Sequence, residues 1–189
     1  MTEYNYNPNA GTIFSMTNHE VYVVTSSHNG KDGGQIATWI MPASLVPDRL
    51  RLIALISPQN FTYSLIEKSR KFALNMLAVG QEDLVPQFGL KTGKTLDKFE
   101  ELEFERAPSG CPILNGTCGW IDCRILDTYM LGDRMLYIAE GTAHDIDTEK
   151  SPLRKREAFE AQPEDILHQL IEKHRKDGER DKLYIRDYR

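Results

Sequence analysis

Between residues 33 and 64 the chain gathers Gln35, Thr38, Ser44, Ser57, Asn60, Thr62 and Ser64 around the ends of strand-like runs. All are neutral donors and acceptors, able to hold a phosphate and edge a heteroaromatic ring but not to supply an acid or a base. Thr62 stands where a helical pattern begins, and helix-terminal amides with their dipole favour an anion there, although serine and threonine at such positions also serve as plain caps. The stretch Gly33–Ser44, "GGQIATWIMPAS", is apolar for a loop and irregular for a strand, and its Pro42 has no amide to donate to a ladder. It reads as the end of a strand whose Gln35, Thr38 and Ser44 leave regular pairing, with Gly33 and Gly34 in the preceding turn. Burying Gln35 or Thr38 without partners is costly, so each needs a ligand or a neighbouring backbone.

Other chemistries find little support. There is no Gly-x-Ser-x-Gly elbow, and Cys111, Cys118 and Cys123 are odd in number and lack Cys-x-x-Cys spacing. The five histidines show no His-Glu-x-x-His pairing, so no metal is expected. Gly30, Gly33 and Gly34 do not form Gly-x-Gly-x-x-Gly, and no Walker loop occurs. A net charge of -5 argues against a nucleic-acid partner, which needs a basic face. The apolar run Leu52–Ile56 is far too short to cross a bilayer, so no membrane partner is expected. With no charged-then-apolar leader after Met1, the expected compartment is cytoplasmic.

The elements that must carry the neutral donors are mostly strands. Residues 1–19 read as an N-terminal arm, broken by Asn5, Asn7, Pro8 and Asn9. "EVYVVTSS" from Glu20 is followed by "HNGKDGG", a turn leading into "QIATWI" and so a hairpin. "RLIALIS" reads as a strand buried on both faces, and a short helix starts at Thr62 and runs to about Ser69. "KFALNMLA" is strand-like, "QEDLVPQFGL" is a short helix ended by Gly89, and two long strands join across Leu131-Gly132-Asp133. From Leu153 to Asp181, Ile166, Leu167, Leu170, Ile171 and His174 recur at helical spacing, which predicts one amphipathic tail helix. The chain, at 189 residues, thus divides into the arm, a β-rich domain over 20–150 and a helical extension over 151–189 that packs on the barrel or on a dimer partner.

The ordered series "VYVVTSSHNGKDGGQIATWIMPASLVPDRLRLIALIS", "FTYSLIEKSRKFALNML", "QFGLKTGKTLDKF", "CPIL" and "GDRMLYIAEG", over roughly 20–145, resembles the flavin reductase-like family. The resemblance implies an all-β barrel with short helices: a six-stranded FMN-binding split β-barrel, Greek-key-like, forming a homodimer with FMN near the interface. It implies reduction of flavin (FMN, with FAD or riboflavin as substrates) by NADH or NADPH, serving a monooxygenase or another redox protein. An FMN-binding electron carrier similar to flavoredoxins is the alternative, and a dimeric module that has lost flavin a third reading. Mapped by motif, Gln35, Ile36, Ala37, Thr38 and Trp39 resemble the stretch along the isoalloxazine edge, and Ser44 follows on the same wall. Ser57, Asn60 and Thr62 match the ribityl-phosphate side, and Lys98 in "LDKF" matches a lysine near the phosphate, assisted by Lys91 or Lys94. Arg134 stands where many members carry a histidine that contacts nicotinamide or flavin. Outside the family pattern Trp39 reads as a core aromatic and Lys98 as a solvated turn residue. No catalytic side chain is implied, because the flavin performs the hydride chemistry.

Overall fold

A computed structural model of the chain describes residues 12–46 and 48–185. Of the arm expected over 1–19, residues 1–11 lie outside the described residues, as do 186–189 of the extension. The elements are α1 (Thr12–Ser15), β1 (Tyr22–His28), β2 (Lys31–Ala37), β3 (Ile40–Pro42), β4 (Arg51–Ile56), α2 (Phe61–Ser69), β5 (Lys71–Met76) and α3 (Leu84–Gly89). They continue with β6 (Phe104–Arg106), β7 (Pro112–Leu114), β8 (Gly119–Met130), β9 (Met135–Ile146), α4 (Lys155–Glu160) and α5 (Glu164–Asp181).

One antiparallel sheet runs β2-β1-β5-β8-β9-β4-β3, with β6 and β7 forming a small second ladder. β2 and β3 occupy opposite edges of that sheet, yet only Thr38 and Trp39 separate them. Laid flat, seven strands would put their edges about 29 Å apart, whereas two linking residues reach only about 11 Å. The sheet must therefore curl until its edges nearly meet, and Thr38–Trp39 bridges the seam. This curled sheet with Greek-key-like connections and short helices is the split barrel. Six strands were implied and "QIATWI" was expected to be one of them; the seventh arises because Thr38–Trp39 carries the chain from one edge to the other, where Ile40–Pro42 pairs with Leu52–Ala54. Pro42 sits on an edge strand, where its missing amide is tolerated, and Ala43 N still donates to Arg51 O at 2.7 Å, so the proline does not close the ladder.

The first hairpin also differs from expectation. His28 pairs with Lys31, so the turn is only Asn29–Gly30, with φ of 51° and 73°. Two consecutive positive φ values give the tight turn that matches strand twist, and Asn-Gly supplies them cheaply. Gly33 and Gly34 lie inside β2 instead. A Cβ on Gly33 would stand 2.7 Å from Leu65 Cδ1, and one on Gly34 2.5 Å from Phe88 Cε1. The glycines are there because α2 and α3 press on the two faces of β2.

Those faces define two cores. Val24, Ala37, Ala54, Ile56, Ile66, Phe72, Leu74 and Tyr137 pack inside the curl. Val21, Val23, Leu77, Val85, Phe88, Phe99, Leu153, Ala158 and Leu170 form the second core, outside β1 and β2. The tail is not one helix from Leu153. Leu153 is extended and knit into the sheet end, its N–H donating to Leu77 O at 2.8 Å while its carbonyl accepts from Val21 N at 2.9 Å. α4 follows, and the chain breaks before Pro163, whose ring cannot continue a helix from the preceding turn. Leu170 then anchors α5 in the second core. No helix among the described residues is long and apolar enough to cross a membrane.

Candidate functional site

The seam and the strand ends beside it bring several of the expected residues to one end of the barrel. Trp39 O accepts from Leu55 N at 3.1 Å, and Ile56 pairs with Met135. Ser57 therefore leaves β4 beside Arg134, which leads into β9, with Trp39 alongside. The Arg134 guanidinium lies 5.4 Å from the centre of the Trp39 ring, within cation-π range. Trp39 is 50% exposed, so it is not a core aromatic.

From Ser57 the chain turns directly into α2. Asn60 N donates to Ser57 O at 3.1 Å, and Gln59 N donates to Ser57 Oγ at 3.3 Å. The N-cap is Asn60, two residues earlier than a Thr62 cap requires, and its side chain makes no capping bond. Thr62 is instead the second helical residue, 2% exposed, with Oγ1 turned toward Gly33 of β2. Among the described residues the first amides of α2 thus lack a side-chain acceptor, which leaves them available to an external anion. The loop after α3 closes over this helix start, since a Cβ on Gly93 would stand 2.6 Å from the Phe61 ring. Lys91 and Lys94 flank Gly93 and are exposed.

Lys98 at the end of that loop is buried, contrary to a solvated turn residue. Its Nζ donates to Gly34 O at 2.9 Å and to Phe88 O at 3.0 Å. β2 is a sheet edge, so this lysine satisfies an edge carbonyl while tying β2 to α3. Gln87 links the set, donating through Nε2 to Lys98 O at 2.8 Å and accepting from Lys91 Nζ at 2.9 Å. Burial, followed by the neighbouring charges of Lys173 and Lys91, pushes the Lys98 ammonium down to about 8.

Gln35 is the other unusual group. It points to the same face of β2 as Gly33 and Ala37, and its Oε1 is buried without a hydrogen-bond partner among the described residues. Ala37 lies in the inner core, whereas the Ile36 side chain turns to the opposite face and packs in the second core, so only its backbone remains near the seam. Thr38 is half-buried at the seam. Ser44 is drawn away: its Oγ accepts from Val46 N at 3.0 Å and caps the β3–β4 loop.

Sequence reasoning does not reach Asp181, because an aspartate in a highly charged helix carries no local mark. Asp181 is 4% exposed and accepts from Arg134 Nη1 at 2.6 Å through Oδ2. Its Oδ1 accepts from Arg180 Nε at 2.9 Å and from Nη2 at 2.7 Å. Burial raises its proton affinity, but hydrogen bonds from Arg134 and Arg180 outweigh that and hold the carboxyl below its ordinary value. An uncapped helix start beside a lysine loop, an orphaned acceptor and an exposed indole backed by a guanidinium are groups chemically suited to an anionic, ring-bearing ligand.

Comparison with known proteins identifies the family and the fold. The chain is 30% identical over 125 residues to the stachydrine N-demethylase reductase subunit Stc3 of Rhizobium meliloti, covering 65% of this chain and 52% of that one. It is 28% identical over 132 residues to a flavin reductase of Pseudomonas putida, covering 69% and 74% respectively. It spans about half the length of the first of these relatives. The NADH:FAD oxidoreductase SgcE6 of Streptomyces globisporus shares the fold, with a TM-score of 0.71 at 19% identity over 82% of this chain and 93% of that one. A family model described as the flavin reductase like domain matches residues 14–160, from α1 to the end of α4. The chain belongs to the flavin reductase like domain family.

Proposed function

We propose that this protein is an NAD(P)H-dependent flavin reductase that holds FMN across the seam of its barrel and acts as a homodimer. The observation that carries the reading is the start of α2: amides without a side-chain cap, closed over by the loop of Lys91, Gly93 and Lys94. A dianionic phosphate satisfies both the amides and the lysines. Lys98 contributes charge from beneath, its Nζ already committed to two carbonyls. Gln35 Oε1, an acceptor with no donor among the described residues, fits the edge of a flavin ring, which offers an N–H between two carbonyls. Thr38 and Trp39 lie at the seam between the ring and the phosphate groups. Bound flavin accepts a hydride from a nicotinamide and passes electrons on, so the chain needs only to bind, orient and leave one face open. The flavin reductase of Pseudomonas putida, matched over most of its length, supports the same reading. The name of Stc3, a reductase subunit of a demethylase, supports delivery of the reduced flavin to an oxygenase partner.

Two measurements test this. Purified protein mixed with FMN should retain a flavin spectrum that NADH or NADPH bleaches without oxygen; no bleaching by either nucleotide refutes the reductase. Changing Lys91 and Lys94 together to alanine should weaken FMN roughly tenfold more than riboflavin. Equal losses for both ligands would remove the phosphate from this loop.

A further inference from the structure

α5 lies outside the residues matched by the family model, yet its last turn reaches the open end of the barrel. Leu170 lies against Gly89 of α3, within 3.4 Å of where that glycine's Cβ would be, and Asp181, about 16 Å further along the helix, meets Arg134. Between them runs a ladder of charges: Lys173 donates to Asp177 at 2.6 Å, Arg180 to Asp177 at 2.9 Å, and Arg180 also to Asp181. Gly178 faces open space among the described residues, for a Cβ there meets none of their atoms within 4 Å. The end of α5 is therefore tied down by charge, and Asp181 is the buried member of the tie.

The guanidinium that Asp181 grips is only partly used. Nη1 makes both hydrogen bonds, to Asp133 O at 2.8 Å and Asp181 Oδ2 at 2.6 Å, and lies 3.2 Å from Asp133 Oδ2. The Nε–Nη2 edge has no hydrogen-bond partner among the described residues. A planar edge of parallel N–H groups suits two oxygens of a phosphate, and it discriminates best when the guanidinium cannot turn. The Trp39 ring below and the Asp181 carboxylate behind supply that constraint. Within the cluster Arg134, Arg180 and Lys173 balance Asp133, Asp177 and Asp181, so no net negative charge repels an incoming anion.

We propose that Asp181, contributed by α5, is a positioning residue that holds Arg134 over Trp39 with its Nε–Nη2 edge presented to the diphosphate of the nicotinamide donor. The inference rests on the flavin reductase reading and adds the C-terminal helix to the donor side of that site. The dinucleotide therefore has a contact that a phosphate-free dihydronicotinamide lacks.

The test compares NADH with 1-benzyl-1,4-dihydronicotinamide as donors to the FMN-loaded protein. In Asp181→Asn the ratio of kcat/KM for NADH to that for the phosphate-free donor should fall roughly tenfold, chiefly through KM for NADH, with Asp181→Glu restoring part of it. Arg134→Lys, which keeps the charge but loses the fork, should lower the same ratio. A second arm needs no flavin: in a Trp120→Phe background, ADP added to the full chain should change Trp39 fluorescence saturably, with a midpoint about tenfold higher in Asp181→Asn. An unchanged ratio in Asp181→Asn, or no saturable response to ADP in a protein that does reduce flavin, overturns the proposal. A chain that responds to ADP but neither binds nor reduces flavin overturns the underlying function, and the proposal with it.

Discussion

β1 is flanked by two strands, each carrying a buried amide side chain, and the two amides live differently. On the β5 side Asn75 is fully buried and fully employed: Nδ2 donates to Val23 O at 3.1 Å and Oδ1 accepts from Leu114 N at 2.8 Å. Thr25 beside it donates to Pro112 O at 2.6 Å. These bonds sew β7 onto the barrel wall. On the β2 side Gln35 is nearly as buried, yet its Oε1 accepts nothing among the described residues. Buried polar groups are as a rule satisfied, so an orphan in one strand next to a closed network in another separates a candidate binding wall from a wall that builds.

The largest effect is expected on the building wall. Asn75→Ala strands the Leu114 N–H and removes the donor to Val23 O, which should cost about 3 kcal/mol of stability. Urea unfolding would measure it, and FMN affinity in the folded fraction should stay within a factor of two. A loss of flavin affinity larger than the loss of stability would mean that the two walls are not separate.

Lys98 lies between them, structural in its bonds and part of the candidate phosphate end in its charge. Lys98→Met leaves the Gly34 and Phe88 carbonyls without these donors and should cost about 2 kcal/mol near neutral pH. The pH dependence has a definite sign. The folded ammonium loses its proton at about 8, whereas the unfolded chain keeps it until about 10.5. Across that window the unfolded state binds more protons, so wild-type stability from this group rises with pH. The gap between wild type and Lys98→Met, followed by chemical unfolding from pH 8 to 10.5, should widen. A narrowing gap would show that the bonds to the Gly34 and Phe88 carbonyls outweigh burial and hold the proton more tightly in the folded chain, and an unchanged gap that Lys98 is not buried as an ammonium.

How far these features were readable from sequence depends on whether their cause is local. The long β8–β9 hairpin and the helix near Thr62 follow from composition and period and fold much as expected, whereas the turn expected over "HNGKDGG" shrinks to Asn29–Gly30. Gly33 and Gly34 misled, because glycine reads locally as a turn, whereas here it answers helices that arrive from 30 and more residues away. The break at Pro163 was masked by a charge pattern that stays amphipathic on both sides of it. Trp39 and Arg134 were each legible as candidates but their stacking was not, and Asp181 was silent. Asn75 did leave a trace, as a lone polar residue inside the apolar run "KFALNMLA", and only the strand partners show why it is there.

The smallest effect carries the comparison furthest, because its sign is reversed. Methionine matches glutamine in length and flexibility but has no strong acceptor, so Gln35→Met removes an unmet demand rather than a bond. Flavin-free protein should then gain about 1 kcal/mol of stability, the reverse of Asn75→Ala. Flavin should bind several-fold more weakly, since the acceptor offered to the ring edge is gone, and riboflavin should lose as much as FMN because the phosphate plays no part. Calorimetric unfolding with and without flavin reads both quantities from one pair of proteins. If Gln35→Met were destabilised without flavin, the carbonyl would already be satisfied within the chain, and β2 would be a second building wall.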